Sequence, residues 1–346
     1  MDASDVDAAL SAHLTRQSRK WRPQVAVRAP GLGMDHHYGP ADLPCHSAST
    51  GKLATTALVM QLVEQGELRL GTPVVSILEP DRLQGIFRDD RRDEVTVEQL
   101  LTHTSGANDY LNGPTTGPTI AELATSERDR RWHPEDLLDH ARNNQRPIDA
   151  PGERFFYSDN GFIVLGLILE AVTATPFSRL IHDRILDPLG MTRSFMPRRT
   201  TPAFGSDRIA PLHLGRVRVD DAESLTIDWA GGGLAATPSD HLTLINALHT
   251  GRLISPESWA WMTRARHRYR SGLYYGAGAM EVRIEGLAPW LRGWPRPVGH
   301  LGITAAHLWH VPELDAEIVI NFSDSRAMRA SFITLIEIIR LLRRLR

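Results

Sequence analysis

Two-residue alternation of apolar and polar side chains occurs only towards the two ends of this chain. Near the N-terminus "QVAVRAP" (Gln24 to Pro30) reads as a short strand, with "GLGMDHHYGP" as a tight return after it. From about Tyr269 onward "LYYGAGAMEVRI", "VGHLGITAAHLWHV" and "DAEIVINF" are strand-like segments separated by turn-rich pieces. Between them the periodicity is helical, broken by polar and Pro/Gly-rich loops from about Thr72 to Arg199. Helices also open and close the chain, at "MDASDVDAALSAHLTRQSRKW", starting near Ser4 or Asp5, and from Ser325 to Arg346. The pattern predicts an α+β fold in which both termini build one sheet domain, residues 1–71 with 200–346. A mostly helical insertion, 72–199, interrupts it. One helix of the insertion, "GFIVLGLILEAVT", is apolar nearly all round, too short to span a bilayer, and carries Glu170, which predicts a buried core helix.

Basic and acidic residues nearly cancel, 39 against 41, which argues against nucleic acid or an anionic membrane as the main partner. The single cysteine, Cys45, cannot form an intramolecular disulfide. The acidic N-terminus lacks the basic head and apolar run of a secretory signal, so the expected location is cytoplasmic.

Of the 39 basic residues only Lys20 and Lys52 are lysines. Arginine does not give up its proton in a protein, so lysine at position 52 retains an option the other cations lack. Lys52 lies in "CHSASTGKLATTALVMQLVEQGEL", where helical periodicity runs from about Ser49 to a cap at Gly66. Ser49 is three residues before Lys52 and so on the same helical face; Ser47 is five away and precedes the helix. A serine in a first helical turn sits among free N–H groups that favour negative charge, and a desolvated lysine is able to activate its hydroxyl. On its own, such a pattern equally describes a capping serine and a solvated lysine.

The downstream blocks change that. "SASTGKLATTALVMQLVEQGELRLGTPV", "VTVEQLLTHTSGANDY", "PGERFFYSDNGFIVLGLILEAVT", "DWAGGGLAATPSDHLTLINAL" and "VGHLGITAAHLWHVP" follow one another over roughly residues 5 to 325. In this order they resemble the serine β-lactamase and penicillin-binding-protein family, especially its class C and family VIII esterase branch. The resemblance implies an antiparallel β-sheet flanked by helices with an all-helical insertion, and an active site at the interface of the two. It implies Ser49 as nucleophile and Lys52 as its basic partner. "YSDN" reads on its face as Tyr157-Ser158-Asp159 or as Ser158-Asp159-Asn160. The flanking "PGERFF" and "GFIVLGLILE" resemble the Tyr-x-Asn branch, which makes Tyr157 the second proton-transfer group and leaves Ser158 inside the turn. Which of Lys52 and Tyr157 takes the first proton stays open.

Asp159 then stands where the family has Asn. An ionised Asp only accepts hydrogen bonds, so it either holds Lys52 charged or accepts from a donor on the substrate. His300-Leu301-Gly302 resembles the family's His-x-Gly, which implies backbone N–H groups of Ser49 and Ile303 as oxyanion donors. His300 in place of a lysine removes the charge that grips a β-lactam carboxylate. The expected activity is therefore an acyl-enzyme esterase or amidase with weak or no β-lactamase activity, needing no metal or organic cofactor. Asp159, His300, Gly302 and Trp294 are the expected substrate-binding residues, with Trp290, Tyr274 and Tyr275 as further candidates for lining the pocket. A transacylase passing the acyl group to an amine or alcohol, and a non-catalytic binding protein on the same fold, are the alternatives. His103 is expected to hold a loop near the site, and the pairs His307/His310 and His36/His37 to be structural; His307 and His310, three apart in a strand, would face opposite ways.

Overall fold

The computed structural model describes residues 2–346. Helix α1 (Ala3–Gln17) opens on a capping box: the Asp2 side chain accepts the Asp5 N–H, and Asp5 returns the bond to the Asp2 N–H. Strands β1 (Gln24–Ala29) and β2 (Met34–Tyr38) follow, so the segment expected as a simple return carries a second strand. A short 3-10 turn (Ala48–Gly51) leads into α2 (Lys52–Glu64). The middle of the chain holds the apolar helix α3 (Asp159–Thr173), buried from Asp159 to Leu169. Helix α4 (Pro238–His249) returns the chain to the sheet. Six more strands complete it: β3 (His267–Arg270), β4 (Leu273–Tyr275), β5 (Met280–Val282), β6 (Val298–Gly302), β7 (Ala306–Val311) and β8 (Ala316–Asn321). Helix α5 (Met328–Leu342) ends the fold.

The eight strands form one antiparallel sheet in the order β2-β1-β8-β7-β6-β5-β4-β3. The N-terminal hairpin thus pairs with the last strand, through Val25 opposite Ile320 and Val27 opposite Ile318. Both faces are covered, which explains why the central strands are almost wholly apolar. Val25, Val27, Trp309, Ile318 and Ile320 pack with Leu10 and Leu14 of α1 and with Leu335 and Ile338 of α5. Ala26, Leu308 and Val319 belong to the core on the opposite face, with α2, α3 and α4. His307 and His310 on β7 face opposite ways as expected: His307 Nε2 pairs with Ser331 Oγ at 2.7 Å, and the His310 ring stacks on His249 at 3.8 Å. Among the described residues no single helix is long and apolar enough to cross a membrane.

Gly166 on α3 lies against the short helix Trp229–Gly232, where an added Cβ would come within 2.7 Å of both the Trp229 ring and the Ala230 Cβ. A Gly166→Val variant is therefore expected to lose about 1–3 kcal/mol of stability through overpacking. Urea denaturation would read this as a lowered midpoint at unchanged slope.

Candidate active site

The turn that carries Ser49 is held in an unusual backbone conformation. Ala48 adopts φ +45°, a left-handed geometry costing on the order of 1–3 kcal/mol in a residue with a Cβ. Its neighbours enforce it. The Ala48 N–H donates to His46 Nδ1 at 3.0 Å, Ser47 N–H to the Leu234 carbonyl at 2.8 Å, and Ser47 Oγ pairs with His241 Nε2 at 2.8 Å. Burial pushes the imidazoles of both His46 and His241 down to about 4, so both are neutral near pH 7. Ser47 is thereby committed to this scaffold and not to the cleft.

The strand β6 closes on the same turn. A Cβ on Gly302 would lie 2.9 Å from both the Ser47 carbonyl and the Ala48 Cβ, so only glycine permits the approach. Ser49, Gly302 and Ile303 then line one cleft of about 970 Å³.

Behind Ser49, Lys52 is fully buried. Its Nζ reaches Ser49 Oγ at 3.1 Å and the Gly231 carbonyl at 2.6 Å, and makes a close ion pair with Asp159 Oδ1. Burial alone would depress its pKa; the charges of Asp159 and Asp228 and the Asp159 hydrogen bond reverse that and raise it above the ordinary value. Lys52 thus rests as an ammonium.

Tyr157 stands on the other side, its ring centroid 5.2 Å from Lys52 Nζ. Its hydroxyl is buried with no well-formed hydrogen bond. Burial and then the charge of Asp159 hold the phenol well above its usual pKa, although the Ser49 hydroxyl pulls it the other way. Within "YSDN", Tyr157 and Asp159 line the cleft with Ser49, whereas Ser158 and Asn160 turn away. Ser158 Oγ caps α3 by accepting the Gly161 N–H, and it donates to the Asn108 carbonyl. Asn160 Nδ2 donates to the same carbonyl at 2.9 Å. His103 lies under this segment: its Nδ1 accepts the Ser158 N–H at 3.1 Å, and its ring is 4.3 Å from that of Tyr157.

Two expected substrate-binding residues are placed elsewhere. His300 is wholly buried, donates Nδ1–H to its neighbour's carbonyl, and is absent from the cleft wall that Leu301, Gly302 and Ile303 form. Burial and then the Lys52 charge push its imidazole down to about 3, so it contributes no cation. Trp294 sits outside the cleft, under the Arg343 guanidinium at 4.7 Å, because the loop before β6 runs away from the site. Trp290 is 82% exposed, and Tyr274 lies under Arg283. Tyr275, in contrast, is buried against Tyr157 and His300 behind the cleft.

Sequence reasoning missed two carboxylates here. Asp109 lines the cleft and accepts backbone N–H bonds from Leu111, Asn112 and Asp159. Burial and then Asp159's charge push it up to about 7. Asp228 is raised to about 6 by burial, opposed by Lys52. Both fall inside blocks quoted above, but no local spacing marks Asp228 as a neighbour of Lys52 or Asp109 as a neighbour of Asp159. Asp159 and Asp228 share the Lys52 ammonium while Asp109 lies against Asp159, so Asp109 is still partly protonated near neutral pH. Among the described residues no group of acidic, histidine or cysteine side chains is arranged to hold a metal ion.

A family model described as Beta-lactamase matches residues 11–334. The acyltransferase mokF of Monascus pilosus is 27% identical over 240 residues, 63% of this chain and 56% of that protein. A lovastatin esterase of Penicillium rubens is 29% identical over 233 residues, 60% of this chain and 56% of that protein. The chain thus spans little more than half the length of these curated relatives. The crystal structure of a D-amino acid amidase from Ochrobactrum anthropi superposes with a TM-score of 0.80 at 20% identity, covering 99% of this chain and 100% of that one.

The carboxyl cluster makes a stability prediction. Asp228's folded pKa lies above its unfolded value, so its contribution is fully present below about pH 4 and is lost as pH rises towards 6. Asp228→Asn should match the wild type near pH 4 and exceed it above pH 6, by about 1–3 kcal/mol at most. The gain should lie in the lower part of that range because a fifth of the side chain remains exposed (19%). Denaturant melts across that pH range check this; a constant gap would contradict it.

Proposed function

This chain belongs to the beta-lactamase family, and from that premise we propose that it is a serine acyl-transfer enzyme acting on an ester or amide. The observation that carries the reading is the buried Lys52 ammonium at 3.1 Å from Ser49 Oγ, behind a cleft that Ser49, Tyr157 and Ile303 line. Ser49 Oγ attacks the carbonyl carbon, and its proton leaves through Lys52 and Tyr157. The N–H groups of Ser49 and Ile303 receive the developing oxyanion, and such donors commonly contribute a few kcal/mol. The tetrahedral intermediate collapses, the leaving group takes a proton from Tyr157 or Lys52, and water releases the acyl group.

The site lies where a sheet lobe, residues 1–71 with 200–346, meets a helical insertion, 72–199; the first supplies Ser49, Lys52 and Ile303, the second Tyr157 and Asp159. His300, neutral and buried, leaves no cation on β6 to hold a β-lactam carboxylate, which supports esterase or amidase over β-lactamase activity. The names of the relatives include both an esterase and an acyltransferase, so an alcohol or amine taking the acyl group in place of water is the second reading.

Asp159 helps keep Lys52 charged at rest, so Lys52 must lose its ammonium proton before it accepts one from Ser49. The first test is covalent labelling with a fluorophosphonate. Ser49→Ala should abolish it, and Ser47→Ala should not remove the labelled residue. The second is a pH–rate profile with a p-nitrophenyl ester. Replacing the carboxylate by Asp159→Asn should lower the Lys52 pKa and move the rising limb to lower pH. An unmoved limb would remove Lys52 as the base. Product analysis with added alcohols or amines then decides the acceptor: ester or amide formed faster than free acid favours transfer over hydrolysis.

A further inference from the structure

The cleft has one wall of unusual make-up. Most of its lining is apolar, including Leu111, Phe155, Leu273, Met280, Leu287 and Phe332. Its two acidic groups, Asp109 and Asp159, are occupied by backbone N–H groups and by Lys52. The remaining charges are Arg268 and Arg270, on the sheet's edge strand β3.

Regular pairing would turn Arg268 and Arg270 to the same face, but the register slips between them. Arg268 pairs with Tyr274, whereas Arg270 pairs with Leu273, which leaves Tyr269 as the extra residue of a β-bulge. The slip moves Arg270 to the face of Leu273 and Tyr275, the face on which Tyr275 touches Tyr157. Tyr269 bridges the two: its ring lies 5.4 Å from that of Tyr157, and the Arg270 guanidinium lies 5.2 Å from its ring centroid. Arg270 is thereby fixed two ring contacts from Tyr157. Nearby arginines are neutralised, Arg283 by Glu281 and Arg296 by Glu285, but among the described residues no acid pairs with Arg268 or Arg270.

We propose that Arg270, aimed into the cleft by the Tyr269 bulge and assisted by Arg268, binds a carboxylate carried by the substrate at a distance from the scissile carbonyl. The inference rests on the acyl-transfer reading and names its substrate class: an ester or amide with an apolar body and a remote carboxylate. A guanidinium suits this role because its planar fork meets a carboxylate in two parallel hydrogen bonds. The carboxylate sits on the acyl group or on the leaving group, and the chemistry at Arg270 is the same.

Two matched pairs of esters test the proposal and separate those sources. The p-nitrophenyl monoester of glutaric acid against its methyl-capped diester places the charge on the acyl side; p-acetoxybenzoate against its methyl ester places it on the leaving side. In at least one pair the anionic ester should have about tenfold the kcat/KM of its capped partner. Arg270→Ala should remove that preference while changing the capped ester less than about twofold, and Arg270→Glu should reverse it. Salt at 0.5 M should erode the preference towards parity, as expected for a pair formed by the exposed Arg270. Equal loss on charged and capped esters, or no preference in either pair, overturns the proposal. Calorimetric binding of the same four esters to Ser49→Ala reads recognition without turnover. If wild type hydrolyses none of the esters, the acyl-transfer reading falls, while tighter or equal binding of the anionic members still supports or overturns the Arg270 assignment.

Discussion

A single buried ammonium organises the site. Lys52 has no surface exposed, and a lone charge in such a place would be strongly destabilising. Its compensation comes from three parts of the chain: Asp159 at the start of α3, the Gly231 carbonyl from the short helix after Asp228, and Ser49 one turn earlier on its own segment. The packing of α3 against that short helix and against α2 is therefore also the assembly of the lysine's coordination. The excess of carboxyl groups around it follows from the same economy of position. Asp159 makes the direct pair, while Asp109 and Asp228, further out and buried, are pushed towards their neutral forms.

Ser49 depends on a different kind of support. The left-handed Ala48 is not stabilised by its own side chain but by bonds on either side of it, to His46, Leu234 and His241. Asn321, at the end of β8, holds the His46 carbonyl at 2.9 Å, so the last strand of the sheet anchors a turn almost three hundred positions earlier. The closure of the sheet by its two ends, predicted from the alternation pattern, is what brings these partners within reach.

What the sequence made legible divides along locality. Ser49 and Lys52 could be paired because a three-residue helical spacing is a short-range rule, and the α+β layout could be read because strand and helix periods differ. Tyr157 and Asp159 could be placed only through resemblance to a family, since nothing local connects them to residue 49. Asp228 and the Gly231 carbonyl reach Lys52, and Asp109 reaches Asp159, only through tertiary packing, which no spacing encodes. Trp294 and His300 show the opposite error. Trp294 is near β6 in sequence but its loop diverges, and His300 is beside cleft-lining Leu301, yet strand alternation turns it inward.

The division of the site between two chain segments also orders what happens when they move. Ser49 and Lys52 sit on consecutive turns of one continuous segment, so their separation is fixed by local backbone geometry. Asp159 and Tyr157 belong to another segment, held to the first by packing and by one ion pair. Parting the two segments would leave Ser49 and Lys52 together but strip the amine of its nearest counter-ion, so the Lys52 pKa is set by how the two segments pack. The charge on the amine beside Ser49 is, in this arrangement, a property of the contact between two stretches of chain and of neither one alone.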